Sequence, residues 1–321
     1  MKHLLSFFAA FLLVAPPLCS AQSEEHAGTI VFASYRSGMN QLYSIDANGG
    51  NLQQLTDSPS GAFGAVVSPR GGRVAFKNNV NSAAPSIAIM SIDGSEVVDV
   101  VKLESQMQNI AWSPDGEQLT FSRAVNGYYQ IFSINADGTN LQQLTHGARS
   151  AISASWGPAG DRILYVSANA SLDDPVLFWM NANGTDPQPV PLPTERTVPS
   201  PFTDPAWSPD GHHVLIESSG DIWLLDMNPG GISAAEKLTH TSNVYEYEPA
   251  WSPEGGAFAY TALSDAGEII WVRNVGGGGL NDLSTAAGAL DAHHPSWGRS
   301  LIQTPTLIEA ATWGQLKAMG R

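Results

Sequence analysis

The chain has 321 residues, with 15 Lys and Arg against 30 Asp and Glu and a formal charge of −15. That surplus repels phosphate backbones and anionic lipid surfaces, so nucleic acid is not an expected partner. Cys19 is the single cysteine, so stability must come from packing rather than disulfides.

At the N-terminus, Met1-Lys2-His3 precede an apolar run from Leu4 to Val14, which is too short to span a bilayer. Small residues at Cys19-Ser20-Ala21 then offer a cleavage site before Gln22, the pattern of a secretory signal peptide over 1–21. Pro17-Leu18 fits a lipoprotein site poorly. The expectation is a periplasmic or secreted protein with no membrane span.

A strand is predicted at Thr29 to Ser34 and another at Gln41 to Asp46, followed by the turn Ala47-Asn48-Gly49-Gly50 and a short third strand ending at Leu55-Thr56. From there a motif recurs. Trp112-Ser113-Pro114-Asp115-Gly116, Trp207-Ser208-Pro209-Asp210-Gly211 and Trp251-Ser252-Pro253-Glu254-Gly255 are full copies, and Trp156-Gly157-Pro158-Ala159-Gly160 keeps the frame. Val67-Ser68-Pro69-Arg70-Gly71 and Trp297-Gly298 are worn copies at the two ends of the series. The first positions, 67, 112, 156, 207, 251 and 297, mark a period that implies one supersecondary unit stacked on itself six times. Ser-Pro-Asp-Gly suits a type I turn, with Pro presetting φ and Gly leaving the turn in the left-handed region. The Trp before the turn is an anchor needing burial.

Each complete unit reads as four strands, and a proline-rich stretch between Asp186 and Pro201 accounts for the one long interval. Proline withholds a ladder donor, so that stretch is expected to be an edge strand and an exposed loop. Three strands stand alone at the N-terminus, and one, ending at Trp297, stands alone near the C-terminus. Joined, they make a sixth unit and remove the open sheet edges. The prediction is an all-β fold: a six-bladed β-propeller over 22–298, with four-stranded antiparallel blades closed by pairing of the N-terminal strands with the last strand. In the extension 299–321, Thr306 with Glu309 and Thr312 with Gln315 match capping boxes, so two short helical turns are expected.

The unit as a whole carries Leu-Thr, a loop, Pro205-Ala206-Trp207-Ser208-Pro209-Asp210-Gly211, an apolar strand, and a strand ending in Asp or Asn before a Gly turn. It resembles the propeller repeat of TolB and of the non-catalytic propeller of prolyl-oligopeptidase-type peptidases, over about 29–298. TolB places an α/β domain ahead of its propeller and the peptidases place a hydrolase domain beside theirs, so this chain looks like a stand-alone TolB-like propeller. The resemblance implies a periplasmic or extracytoplasmic protein-binding module, with a protein or peptide partner at one mouth of the central channel.

No Gly-x-Ser-x-Gly elbow, His-Glu-x-x-His or paired cysteines occur, so no local motif marks a catalytic residue. Superposing the copies instead exposes a row three residues before each Trp position: Gly64, Asn109, Ser153, Asp204, Glu248 and His294. The row opens the innermost strand of each unit, and such strand starts crowd one channel mouth. Asp204, Glu248 and His294 are therefore the candidate binding patch, extended by Asn109, Ser153, Gln108, Tyr247, His293 and Glu246. A protein or peptide ligand is the leading expectation. A carbohydrate-active hydrolase or lyase using the same acids and histidine is the alternative, and a repeat protein with no defined ligand is a third. No cofactor is expected, although carboxylates with His could hold a divalent cation such as calcium in the channel.

Overall fold

The computed structural model describes residues 28–81, 85–102, 107–192, 203–278, 281–283 and 291–299. The expected signal peptide, the proline-rich loop over 193–202 and the capping boxes after residue 300 lie outside the described residues.

Among the described residues, twenty-four strands form six antiparallel sheets of four. The first blade comprises β1 (Thr29–Ser34), β2 (Gln41–Asp46) and β3 (Gln53–Gln54), and the second comprises β4 (Ala62–Val67), β5 (Arg73–Asn78), β6 (Ser86–Ser91) and β7 (Val98–Lys102). The third is β8 (Met107–Trp112), β9 (Gln118–Val125), β10 (Tyr128–Asn135) and β11 (Gln142–Gln143); the fourth is β12 (Ser150–Trp156), β13 (Arg162–Ala168), β14 (Val176–Asn181) and β15 (Gln188–Pro189). The fifth is β16 (Thr203–Trp207), β17 (His213–Ser218), β18 (Asp221–Asn228) and β19 (Gly231–Lys237). The sixth is β20 (Tyr245–Trp251), β21 (Ala257–Ser264), β22 (Gly267–Asn274) and β23 (Asn281–Asp282), after which β24 (Ala292–Gly298) returns to pair with β1 and completes the first blade. This is the closure predicted from the strand count. Pro189 sits on the outermost strand of its sheet, where a missing ladder donor costs nothing.

The middle strands are buried at most positions because both faces of a blade are covered. Ile30 and Phe32 of β1 pack with Ala257, Ala259 and Val272 of the sixth blade. Val31 and Ala33, pointing the other way, pack with Val74 and Phe76 of the second. Period-two alternation thus serves two interfaces. The buried apolar residues fall into six clusters, each shared by two neighbouring blades, so the core is itself a ring.

The repeated turns form as their residues dictate. Gly71, Gly116, Gly160, Gly211 and Gly255 each donate their N–H to the carbonyl three residues earlier, at 2.8–3.0 Å. Asp115 and Asp210 tighten their turns by accepting from Ser113 and Ser208 Oγ. Successive turns also interlock: a Cβ on Gly211 would stand 3.1 Å from Pro158, one turn back. His212 and His213 lie beside such a turn, where His213 faces Asp210 and Asp226 at 3.4 and 3.6 Å. The Leu-Thr pair has its own logic. Leu55, Leu144 and Leu238 are buried, while the hydroxyls of Thr56, Thr145 and Thr239 accept from Leu42, Ile131 and Ile222 N–H, each at 2.9 Å.

The tryptophans wedge adjacent blades. Trp112 Nε1 donates to Val66 O at 3.0 Å and Trp251 Nε1 to Ala206 O at 2.8 Å, in each case the preceding blade's innermost strand. Where the residue before the Trp position is Ser rather than Ala, its hydroxyl bridges to the next blade. Ser155 Oγ accepts from Trp207 N at 3.0 Å, and Ser296 Oγ from Val67 N at 2.9 Å.

Candidate functional site

The innermost strands β4, β8, β12, β16, β20 and β24 surround a channel. Each carries one extra residue relative to its partner strand, in a β-bulge at the row position. At five of the six bulges that residue is left-handed: Gly64, Ser153, Asp204, Glu248 and His294 have φ between 48° and 60°. This conformation costs on the order of 1–3 kcal/mol for a residue with a side chain, and such strain is concentrated at functional positions. In β16, β20 and β24 a proline follows, Pro205, Pro249 and Pro295, where the interrupted ladder asks for no N–H.

The bulges turn the row into the channel, where a cavity of about 500 Å³ is lined by Gly64, Asn109, Ser153, Asp204, Glu248 and His294 together. A second cavity of about 290 Å³ lies at the turn end, lined by Pro69, Pro114, Pro158, Pro209 and Pro253 with the Trp rings. The polar row side chains thus gather at one end of the channel, and the turn prolines with the Trp rings at the other.

Within the polar end, Asp204 Oδ1 accepts from Ser153 Oγ at 3.1 Å and from Asn109 Nδ2 at 3.4 Å, across three blades. Glu248 Oε2 accepts from His294 N at 3.0 Å and Thr261 Oγ1 at 3.3 Å, and its Oε1 contacts His294 Nε2. The His294 ring meets Phe63 edge-on at 4.2 Å, and His294 Nδ1 lies 2.9 Å from His293 Nδ1.

Asp204, Glu248, His294, Asn109, Ser153 and Gln108 all border the same cavity. Tyr247 and His293 stand one residue earlier on their strands and outside the cavity lining; Tyr247 bonds Glu268, and His293, beside His294 through Nδ1, reaches Asn40 Oδ1 through Nε2 at 3.2 Å. Glu246 is buried within its blade. Lys77 carries no signal in the sequence: it reaches the cavity from β5, and two further acids, Glu217 and Glu268, stand behind the ring. Among the described residues, no group of three or more His, Cys, Asp or Glu side chains is placed to hold a metal ion.

Burial sets the protonation of the ring. It pushes the Glu248 carboxyl up to about 7, and it raises Asp204 with help from the Glu248 charge. Burial, then the Lys77 ammonium, pushes the His294 imidazole down to about 4. Burial likewise lowers Lys77 to about 8, against the pull of Glu248 and Asp204.

Glu248 and His294 consequently act on stability in opposite senses. The folded state holds a proton on Glu248 that the unfolded chain releases, so this contribution is full below the ordinary 4.5 and is lost as pH rises through about 7. His294 gives up its proton on folding, so its contribution is full above the ordinary 6.5 and is lost as pH falls through about 4. Glu248→Gln removes the first dependence. Thermal melts are expected to show the parent losing stability relative to Glu248→Gln between about pH 5 and about pH 8. A difference that does not change with pH would overturn the assignment.

A family model for the TolB β-propeller domain matches residues 68–301. A TolB homologue from Chlorobium luteolum is 29% identical over 172 residues, which is 54% of this chain and 38% of that protein. The chain thus spans less than two-fifths of that relative's length. Among solved structures, TolB from Acinetobacter baumannii matches with a TM-score of 0.70 at 17% identity, over 85% of this chain and 67% of that one. A chain of the nidogen/laminin complex matches with a TM-score of 0.64 at 13% identity, over 84% of this chain and 98% of that one. At these identities the structural likeness shows the fold alone. The family match covers well over half of the sequence and every repeated turn in it, and the chain belongs to the TolB β-propeller domain family.

Proposed function

We propose that this propeller is a periplasmic or secreted binding module that takes a protein or peptide at the polar mouth of its channel. The observation that carries this reading is the run of bulges. Ser153, Asp204, Glu248 and His294 hold a left-handed backbone in four successive blades, and all four line one 500 Å³ cavity. A channel needing only hydration has no use for four strained residues. Membership of the TolB β-propeller domain family favours a protein ligand over a small metabolite. In the described residues no helix is long and apolar enough to cross a membrane.

A hydrolase or lyase at the same mouth is the second reading. Its support is Glu248, protonated up to about 7 in contact with the His294 imidazole, as general acid–base chemistry requires.

The test is a pull-down from envelope and culture-supernatant extracts, with the parent protein beside an Asp204→Ala/Glu248→Ala/His294→Ala variant shown by circular dichroism to be folded. The expected result is one protein retained by the parent and lost by the variant. Equal retention by both moves the site elsewhere on the propeller. Retention by neither, with turnover of an oligosaccharide by the parent alone, favours the enzyme.

A further inference from the structure

Among the described residues, one charged group in the channel, Lys77, makes no ion pair. Lys77 leaves β5 opposite Phe63 of β4, and its ammonium lies over the Phe63 ring, 5.3 Å from the centroid. Gly64 admits it: a Cβ there would stand 3.3 Å from Lys77 Cε and 3.7 Å from Nζ. In place of a sixth row side chain, the ring therefore has a lysine arriving from the neighbouring strand. Among the described residues, no carboxylate comes within ion-pair distance of Nζ and no acceptor takes its hydrogen bonds. Both nearby acids are occupied, Asp204 by Ser153 and Asn109, and Glu248 by His294 and Thr261.

We propose that Lys77 is a carboxylate-binding subsite within the channel, taking an acidic side chain or a terminal carboxylate from the ligand that enters there. The proposal rests on the binding reading above and names the group recognised. A burial-disfavoured ammonium with no ion-pair or hydrogen-bond partner is stabilised by a single negative charge brought within hydrogen-bond reach. Phosphate, carrying more charge, would be repelled by Asp204 and Glu248, whereas a carboxylate on an apolar stem suits walls made of Phe63, Ala65 and Val66.

The titratable groups facing Lys77 are Glu248 of β20, Asp204 of β16 and His294 of β24, while the adjoining strands β4, β6 and β8 contribute none. Glu248 is protonated below about 7 and Lys77 stays charged below about 8, so carboxylate binding strengthens as pH falls from 8 to 6.

The test follows reductive dimethylation of Lys77 by formaldehyde and borohydride, mapped by peptide mass spectrometry, with Lys102 and Lys237 as internal references. Three probes are compared: N-acetylglutamate α-amide for the carboxylate of an acidic residue, N-acetylalanine for a terminal one, and the neutral N-acetylglutamine α-amide. A carboxylate probe at twice its Kd is expected to slow Lys77 modification about threefold, while the neutral probe does not. Binding read by NMR of the labelled probe should survive in Lys77→Arg and vanish in Lys77→Met. Protection by either carboxylate supports the subsite and identifies its source. Protection by neither, or equal protection by the amide, overturns it and leaves the pull-down result standing, since a partner can be held by the rim alone.

Discussion

Replacing Trp112 with alanine is expected to destabilise the propeller by about 3–5 kcal/mol, the range for emptying a buried aromatic site. Its side chain is 5% exposed and packs in the apolar cluster between the second and third blades. The Arg73 guanidinium stacks 5.0 Å from its ring. The change also removes the donor to Val66 O, leaving a carbonyl of the channel strand without its partner. Trp207 is the internal comparison. It is only partly buried, and its indole N–H bonds Gly211 O within its own turn, so Trp207→Ala should cost distinctly less. Urea denaturation of both variants decides the point. Equal losses would mean that the shared sequence motif, not the bond across the blade seam, sets the contribution.

The second large effect belongs to a single methyl group. A Cβ on Gly298 would stand 2.1 Å from Val67 Cγ1 and 2.8 Å from Val67 Cβ, so rotating the valine cannot relieve the clash. Gly298 ends β24, the strand that closes the ring, and the second blade must move away from the first to admit any side chain there. Gly298→Ala is expected to cost about 3 kcal/mol or more, at the upper end of overpacking penalties. Because the obstacle is Val67, the double variant Gly298→Ala/Val67→Ala should recover part of the loss, a coupling of opposite sign to simple additivity. Full additivity in a double-mutant cycle would show that the methyl group is opposed by something else.

The two effects share a cause. Six quasi-equivalent units must close without slack, so contacts between blades are the most demanding positions in the protein. Neither is visible in a blade taken alone: Trp112 bonds a residue 46 positions away, and Gly298 meets a residue at the other end of the repeat series.

The sequence by itself determined the number of blades, the antiparallel order within each, and the pairing of the two ends of the repeat series. These features follow from local rules repeated with a fixed period, namely a Pro-set turn, a Trp anchor and short apolar strands. It also placed Asn109, Ser153, Asp204, Glu248 and His294 in one ring, because equivalent positions in a closed repeat become neighbours around an axis. The tertiary structure alone decided how that ring works. A bulge in each innermost strand turns the row inward, while Tyr247 and His293, one residue earlier, do not themselves line the cavity. Lys77 reads in sequence as one lysine in a buried strand. Its place in the channel depends on the absent side chain of Gly64 on the neighbouring strand, a gap that exists only once β4 and β5 are paired. The protonation of Glu248 and His294 was equally hidden, since it comes from the loss of water around groups that the closing of the ring brings together.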